Sequence, residues 1–132
     1  MSARYLLDTH ALAWAVGAPQ LLSDAAREVL RDPKVRPVVS PASVWEMSIK
    51  HHLGKWPEVA PFMDEQLYRQ FLRQLGAEEL PISSRHARLA GQWNAPHRDP
   101  FDRLIAAQAV LEGLPVLSKD AALDAFAVNR AW

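Results

Sequence analysis

Short apolar runs alternate along the chain with stretches whose apolar residues recur three or four positions apart, a pattern that predicts strands separated by helices. Tyr5-Leu6-Leu7 is such a run, bounded by polar residues, and reads as a buried parallel strand ending at Asp8. Thr9 to Val16 then carries Leu12, Trp14 and Ala15 at helical spacing, closed by Gly17 and Pro19. Ser23 suits the N-cap of a helix through Leu30, with Asp24 favourably set against the helix dipole, and Pro33 ends it. Val38-Val39 predicts a second strand. Ser40-Pro41 supplies a cap and a first-turn proline for a helix that reaches His52 and stops at Gly54.

Phe62 to Leu75 places apolar residues at 63, 67, 71 and 75, one face of a helix that Gly76 ends. Leu80-Pro81-Ile82 predicts a short strand and edge turn, Ser83 caps a helix from Ser84 to Gln92, and Trp93 to Arg98 is a polar loop. Asp99 and Pro100 open the most helix-compatible stretch, Phe101 to Leu111, closed by Gly113 and Pro115. Val116-Leu117 is the next buried strand, Ala121 to Phe126 a helical turn or two, and Val128 to Trp132 a last strand. Strands alternating with helices imply an α/β fold with a parallel sheet covered on both faces. No internal repeat, linker or low-complexity tract interrupts it, and 132 residues is the size of one domain, spanning 1–132.

Composition narrows the function classes. With 49% hydrophobic and 23% charged residues the chain is ordinarily globular. The absence of cysteine excludes disulfides and thiolate metal sites, and a reducing cytoplasm is the natural setting. Met1-Ser2-Ala3-Arg4 runs straight into a strand without the apolar core of a signal peptide, and no apolar stretch approaches the ~20 residues that span a bilayer, so neither export nor a membrane is expected. Fifteen basic and fifteen acidic residues give zero formal charge, so any nucleic-acid binding must be local.

The chemistry concentrates in four carboxylates that stand where strands end or helices begin: Asp8, Glu46, Asp102 and Asp120. Each has an ordinary alternative. Asp8 and Asp120 could cap the helices that follow them, Glu46 could pair with Lys50 at i, i+4, and Asp102 could be a first-turn acid behind the cap Asp99. Those alternatives do not predict that all four share one strand–loop–helix edge, where like charges repel and desolvation is costly. A hard divalent cation removes both objections, because it takes oxygen ligands and keeps waters for phosphate chemistry.

Tyr5-Leu6-Leu7-Asp8-Thr9, Ser43-Val44-Trp45-Glu46, the run from Arg98-Asp99-Pro100-Phe101-Asp102-Arg103 through Ala109, and Leu117-Ser118-Lys119-Asp120 together resemble the PIN-domain ribonucleases, most closely the VapC-type toxins of bacterial toxin–antitoxin pairs. The resemblance covers essentially the whole chain, and its most specific piece is Asp99 to Ala109. It implies a PIN-like, Rossmann-like three-layer α/β/α sandwich with a mainly parallel central sheet. It also implies an acidic cluster that binds Mg²⁺ or Mn²⁺ and hydrolyses RNA, a cognate antitoxin protein that restrains the activity, and a homodimer. Asp8, Glu46 and Asp102 match the three principal acids and Asp120 the more variable fourth. Thr9 matches the hydroxyl that often follows the first acid, whereas Ser118 replaces a common threonine.

The roles these matches imply are distinct. Asp8 and Asp102 are direct or water-mediated ligands, Glu46 is a ligand or the group that orients and deprotonates a water, and Asp120 holds a second cation or a ligand water. Arg98 and Arg103 flank the third acid and suit either a bidentate phosphate clamp or structural pairing with Asp99 or Glu46. The five histidines show no zinc-motif spacing, although His97 directly precedes Arg98-Asp99. Trp14 and Trp45 fit core packing better than an exposed partner groove. A dehalogenase-like phosphatase would need an aspartate at position 10, which is His10, and a dinucleotide or ATP site would need a glycine-rich turn after the first strand. The remaining rival is a non-catalytic PIN-fold module that binds RNA or regulates, against which the presence of all four acids argues.

Overall fold

In a computed structural model, which describes residues 3–97 and 99–132, five strands form one wholly parallel sheet. They are β1 (Ala3–Leu7), β2 (Val35–Val39), β3 (Glu78–Glu79), β4 (Val116–Leu117) and β5 (Arg130–Ala131), in the order β3-β2-β1-β4-β5. The helices are α1 (Thr9–Gly17), α2 (Asp24–Arg31), α3 (Pro41–His52), α4 (Glu65–Leu75), α5 (Ser84–Gln92) and α6 (Pro100–Glu112), with 3₁₀ turns at Pro19–Leu21, Pro57–Met63 and Ala121–Ala125.

The strands are short and the sheet is covered on both faces, so the two-residue periodicity of a strand divides its side chains between two cores. Leu6, Val38 and Val116 point to one face, where Ala42, Ile105, Ala106 and Ala109 meet them. Their sequence neighbours Leu7, Val39 and Leu117 point to the other, against Leu12, Ala26, Met47 and Phe62. The register is consistent with this division, pairing Leu6 with both Val38 and Val116, and Leu7 with Leu117. Each of these six side chains is fully buried, and burial of a Leu or Val stabilises by about 1.5–3 kcal/mol. A one-residue slip of β1 would exchange the two sets, so the core pattern fixes where Asp8 falls.

Local signals set the helix boundaries. The Ser23 and Ser40 hydroxyls accept from the amides of Ala26 and Ala42, and the Asp99 carboxylate accepts from Phe101 and Asp102. Gly113 ends α6 in the left-handed region at φ 67°, which L side chains rarely adopt.

Three expectations shift. The third strand falls at Glu78–Glu79 rather than Leu80–Ile82, because an edge strand tolerates charge: Glu78 pairs with Arg4 at 2.6 Å across the sheet edge. The helix expected from Phe62 begins at Glu65, where the Asp64 side chain caps it, and the preceding Pro57–Met63 coils as a 3₁₀ turn containing Pro61. Trp45 is 54% exposed on α3, edge-on to Phe101 at 4.9 Å, and is therefore not the core residue its helical position suggested. Among the described residues no helix is long and apolar enough to cross a membrane.

Candidate metal centre

β1 and β4 are adjacent in the sheet, yet the chain leaves β1 toward β2 and β3 and returns to β4 and β5 on the other side. That reversal opens a crevice beyond the carboxyl ends of the strands, the usual ligand site of such sheets. Asp8 follows β1 directly and Ser118 follows β4. The Ser118 hydroxyl donates to Asp8 Oδ2, joining residues 110 apart in sequence, and also accepts from the Asp120 amide at 3.0 Å.

Asp8 serves as helix cap and candidate ligand together. Its Oδ1 accepts from the Ala11 amide at 2.8 Å as N-cap of α1, and the side chain is 6% exposed. Burial raises its pKa above the ordinary aspartate range, opposed by the Ser118 and Ala11 hydrogen bonds and reinforced by the like charge of Glu46. Glu46, 4% exposed in the middle of α3, has Oε2 at 2.6 Å from Lys50 Nζ, so the i, i+4 pair exists on a buried carboxylate. Its other oxygen, Oε1, is buried without a hydrogen-bond partner among the described residues.

Asp102 lies in the first turn of α6, with Oδ2 at 2.8 Å from His97 Nε2. Burial pushes its pKa up to about 6, with the like charges of Asp99 and Glu46 adding to the rise and His97 opposing it. Glu46 thus acts as a like charge on both Asp8 and Asp102 and lies in electrostatic reach of each. Asp120 is exposed and caps the turn that follows it through Ala122. Ligand atoms of His97, Asp102 and Asp120 all lie within 4.8 Å of one another, a grouping able to hold a metal ion. Among the described residues Asp102 and Asp120 thus stand together with His97 at the rim, whereas Asp8 and Glu46 are buried and fall outside that grouping, Asp8 being tied to it through the Ser118 hydroxyl shared with the Asp120 amide.

The supporting residues separate. Thr9 is buried and its hydroxyl donates to Ser43 at 3.1 Å, fastening α1 to α3. Arg103 places four N–H groups on backbone carbonyls: Nε on Ala90 at 2.7 Å, one terminal nitrogen on His97 at 2.9 Å and Ala95 at 3.4 Å, the other on Trp93. It pairs with neither Asp99 nor Glu46 among the described residues, and its work is to hold the 93–97 loop over α6. Arg98 lies outside the described residues. His97 is the member of the cluster that motif spacing passed over. The signal available was its position five residues before Asp102, which a loop held by Arg103 turns into contact.

The donor set fits a hard divalent ion. It offers several carboxylate oxygens, one of them buried without a partner, on groups whose burial disfavours the charged form until a cation compensates it.

Fold and site define a doubly wound α/β protein with an acidic centre at the carboxyl edge of a parallel sheet. The PIN-domain family model matches residues 5–129, and the chain belongs to that family. In fold it is similar to a chain of VapBC2 from Rickettsia felis bound to a DNA fragment from their promoter, with 13% identity, a TM-score of 0.66 and 97% of each chain covered. It is also similar to a chain of FitAcB from Neisseria gonorrhoeae, with 20% identity, a TM-score of 0.60, and 96% of this chain and 95% of that one covered. Comparison with curated proteins gives no match.

Proposed function

We propose that the chain is a metal-dependent endoribonuclease of the VapC type, the toxin of a toxin–antitoxin pair, using Mg²⁺ or Mn²⁺ to hydrolyse RNA phosphodiester bonds. The observation that carries this reading is the partnerless buried oxygen of Glu46, set in electrostatic reach of Asp8 and Asp102 at the sheet edge. A bound Mg²⁺ or Mn²⁺ supplies an acidified water and charge that offsets the negative charge developing on the phosphate.

Asp8 and Asp102 would hold the ion, and Asp120 would hold a second one or a ligand water at the rim. Ser118 fixes the Asp8 carboxylate and the start of the Asp120 turn with one hydroxyl. Glu46, paired on one oxygen with Lys50, has its other oxygen available, which would serve as a ligand or as the base that accepts a proton from the attacking water. His97 Nε2–H donates to the ionised Asp102 carboxylate and keeps it oriented. The fold likeness to chains of VapBC2 and FitAcB supports a cognate antitoxin as partner, and the family resemblance supports a homodimer.

The test is cleavage of RNA by the purified protein with Mg²⁺, with Mn²⁺ and with chelator, beside Asp8→Asn and Asp102→Asn. The expected result is metal-dependent internal cleavage that both substitutions abolish. Equal cleavage by the variants removes the assignment, and RNA binding without cleavage under any metal makes the chain a non-catalytic PIN module.

A further inference from the structure

Beside the carboxylates stands a group of rings that the reaction does not use. His10, in the first turn of α1, lies nearly parallel to Trp56, with centroids 4.7 Å apart and planes 25° from parallel. Trp14, one helical turn further on, meets His10 at 5.5 Å and Trp132 at 5.9 Å, both tilted. Two ammonium groups lie over the same rings, Lys50 Nζ at 5.7 Å from the Trp56 centroid and Lys119 Nζ at 6.0 Å from that of Trp14. The rings therefore share their border with the acidic centre. Lys50 also holds Glu46, Lys119 lies between Ser118 and Asp120, and His10 is two residues from Asp8.

The tryptophans are half-buried against the core, whereas His10 is exposed, so the Trp56–His10 stack ends in water. A core-filling cluster would bury its outermost ring, and a site for a cationic side chain would not carry two ammonium groups. Flat rings flanked by cations, beside a centre for phosphate chemistry, are complementary to a nucleobase and its phosphates. We propose that the His10–Trp56 stack is a platform for an unpaired nucleobase of a single-stranded nucleic acid, with Lys50 and Lys119 facing its phosphates. This rests on the nuclease reading above and adds that the strand is single where it meets the site, since a paired base offers no free face. The platform reads a π-face and is indifferent to base identity.

Binding is measured by tryptophan fluorescence with an eight-nucleotide oligouridylate and with the same backbone abasic at every position. Every arm carries Asp102→Asn, so that the strand is bound and not cut. The intact strand quenches the fluorescence and binds about tenfold more tightly than the abasic one, the loss expected from a single stacked base. His10→Ala removes that difference and His10→Phe retains it. The exposed position makes His10→Ala compatible with folding, and the phenylalanine variant separates loss of a ring from loss of an imidazole. Equal affinity for intact and abasic strands, or an undiminished difference in His10→Ala, overturns the platform. So does quenching by an arginine-rich peptide but not by the strand, which assigns the rings to a protein partner. Failure of the unsubstituted protein to cut RNA with metal overturns the nuclease reading instead and leaves the stacking measurement to stand or fall separately.

Discussion

Lys50 Nζ lies 2.6 Å from Glu46 Oε2, so the most buried acid of the centre is half-neutralised by its own helix while its second oxygen has no partner. Removing the ammonium leaves a buried carboxylate uncompensated. Lys50→Ala is expected to lower metal-free stability by about 1–3 kcal/mol, and saturating Mn²⁺ is expected to restore most of that loss. Thermal unfolding with chelator and with Mn²⁺ checks this. A deficit that persists unchanged in metal would show that Lys50 acts only through packing.

Asp102 gives the centre a pH dependence whose sign follows from burial. Its folded pKa of about 6 lies above the ordinary 3.8, so the fold favours the protonated acid. Its contribution to metal-free stability is fully present below about pH 4 and is lost as pH rises through about 6. At about 1.4 kcal/mol for each tenfold change in proton affinity, the loss is on the order of 3 kcal/mol. A divalent ion needs the ionised form, so metal affinity runs the opposite way and falls as pH drops below about 6. Calorimetric Mn²⁺ titrations at pH 5 and pH 7.5 should differ by about tenfold or more. Equal affinities would separate Asp102 from the metal.

Arg103 supports the site from behind. With four N–H groups on the carbonyls of Ala90, Trp93, Ala95 and His97, it cannot be replaced by a lysine, whose three donors lack the planar fork. Arg103→Lys is expected to cost about 2 kcal/mol of stability and to weaken Mn²⁺ binding through His97, with little change in KM for RNA. Unchanged stability with a raised KM would instead identify a phosphate clamp.

Ser118 carries two bonds on one hydroxyl. Ser118→Ala removes the donor to Asp8 and the acceptor of the Asp120 amide, at an expected cost of about 1–2 kcal/mol. With that donor gone the Asp8 pKa rises further, so the pH at which metal binds half-maximally should move upward. A midpoint that stays in place, or moves down, would remove Ser118 from the site.

Much of the frame was legible because its signals are local. Ser23, Ser40-Pro41, Asp99-Pro100 and Gly113 mark helix ends through their own backbones, and the observed ends fall within a residue or two. β3 was displaced because the observed strand is Glu-Glu, whose charge is met by Arg4 from another strand, a partner no window of sequence contains. Asp64 was hidden as a cap by apolar spacing that ran on through Met63, and the work of Arg103 depends on a loop course unknown from sequence. Asp8 and Asp120 were visible because they follow strand ends and Asp102 because it opens a helix, whereas Glu46, expected with them at a strand end or helix start, stands in the middle of α3. The contact of His97 with Asp102 depends on how loop 93–97 returns to α6, which motif spacing does not encode.

Crystals soaked in Mn²⁺ and measured at the manganese absorption edge test the central claim most directly. The account predicts an anomalous peak bonded to carboxylate oxygen of Asp8 or Asp102, within reach of Glu46 Oε1, that disappears in Asp102→Asn. Manganese absent from this edge of the sheet at saturating concentration, or bound only at unrelated surface acids, would contradict it.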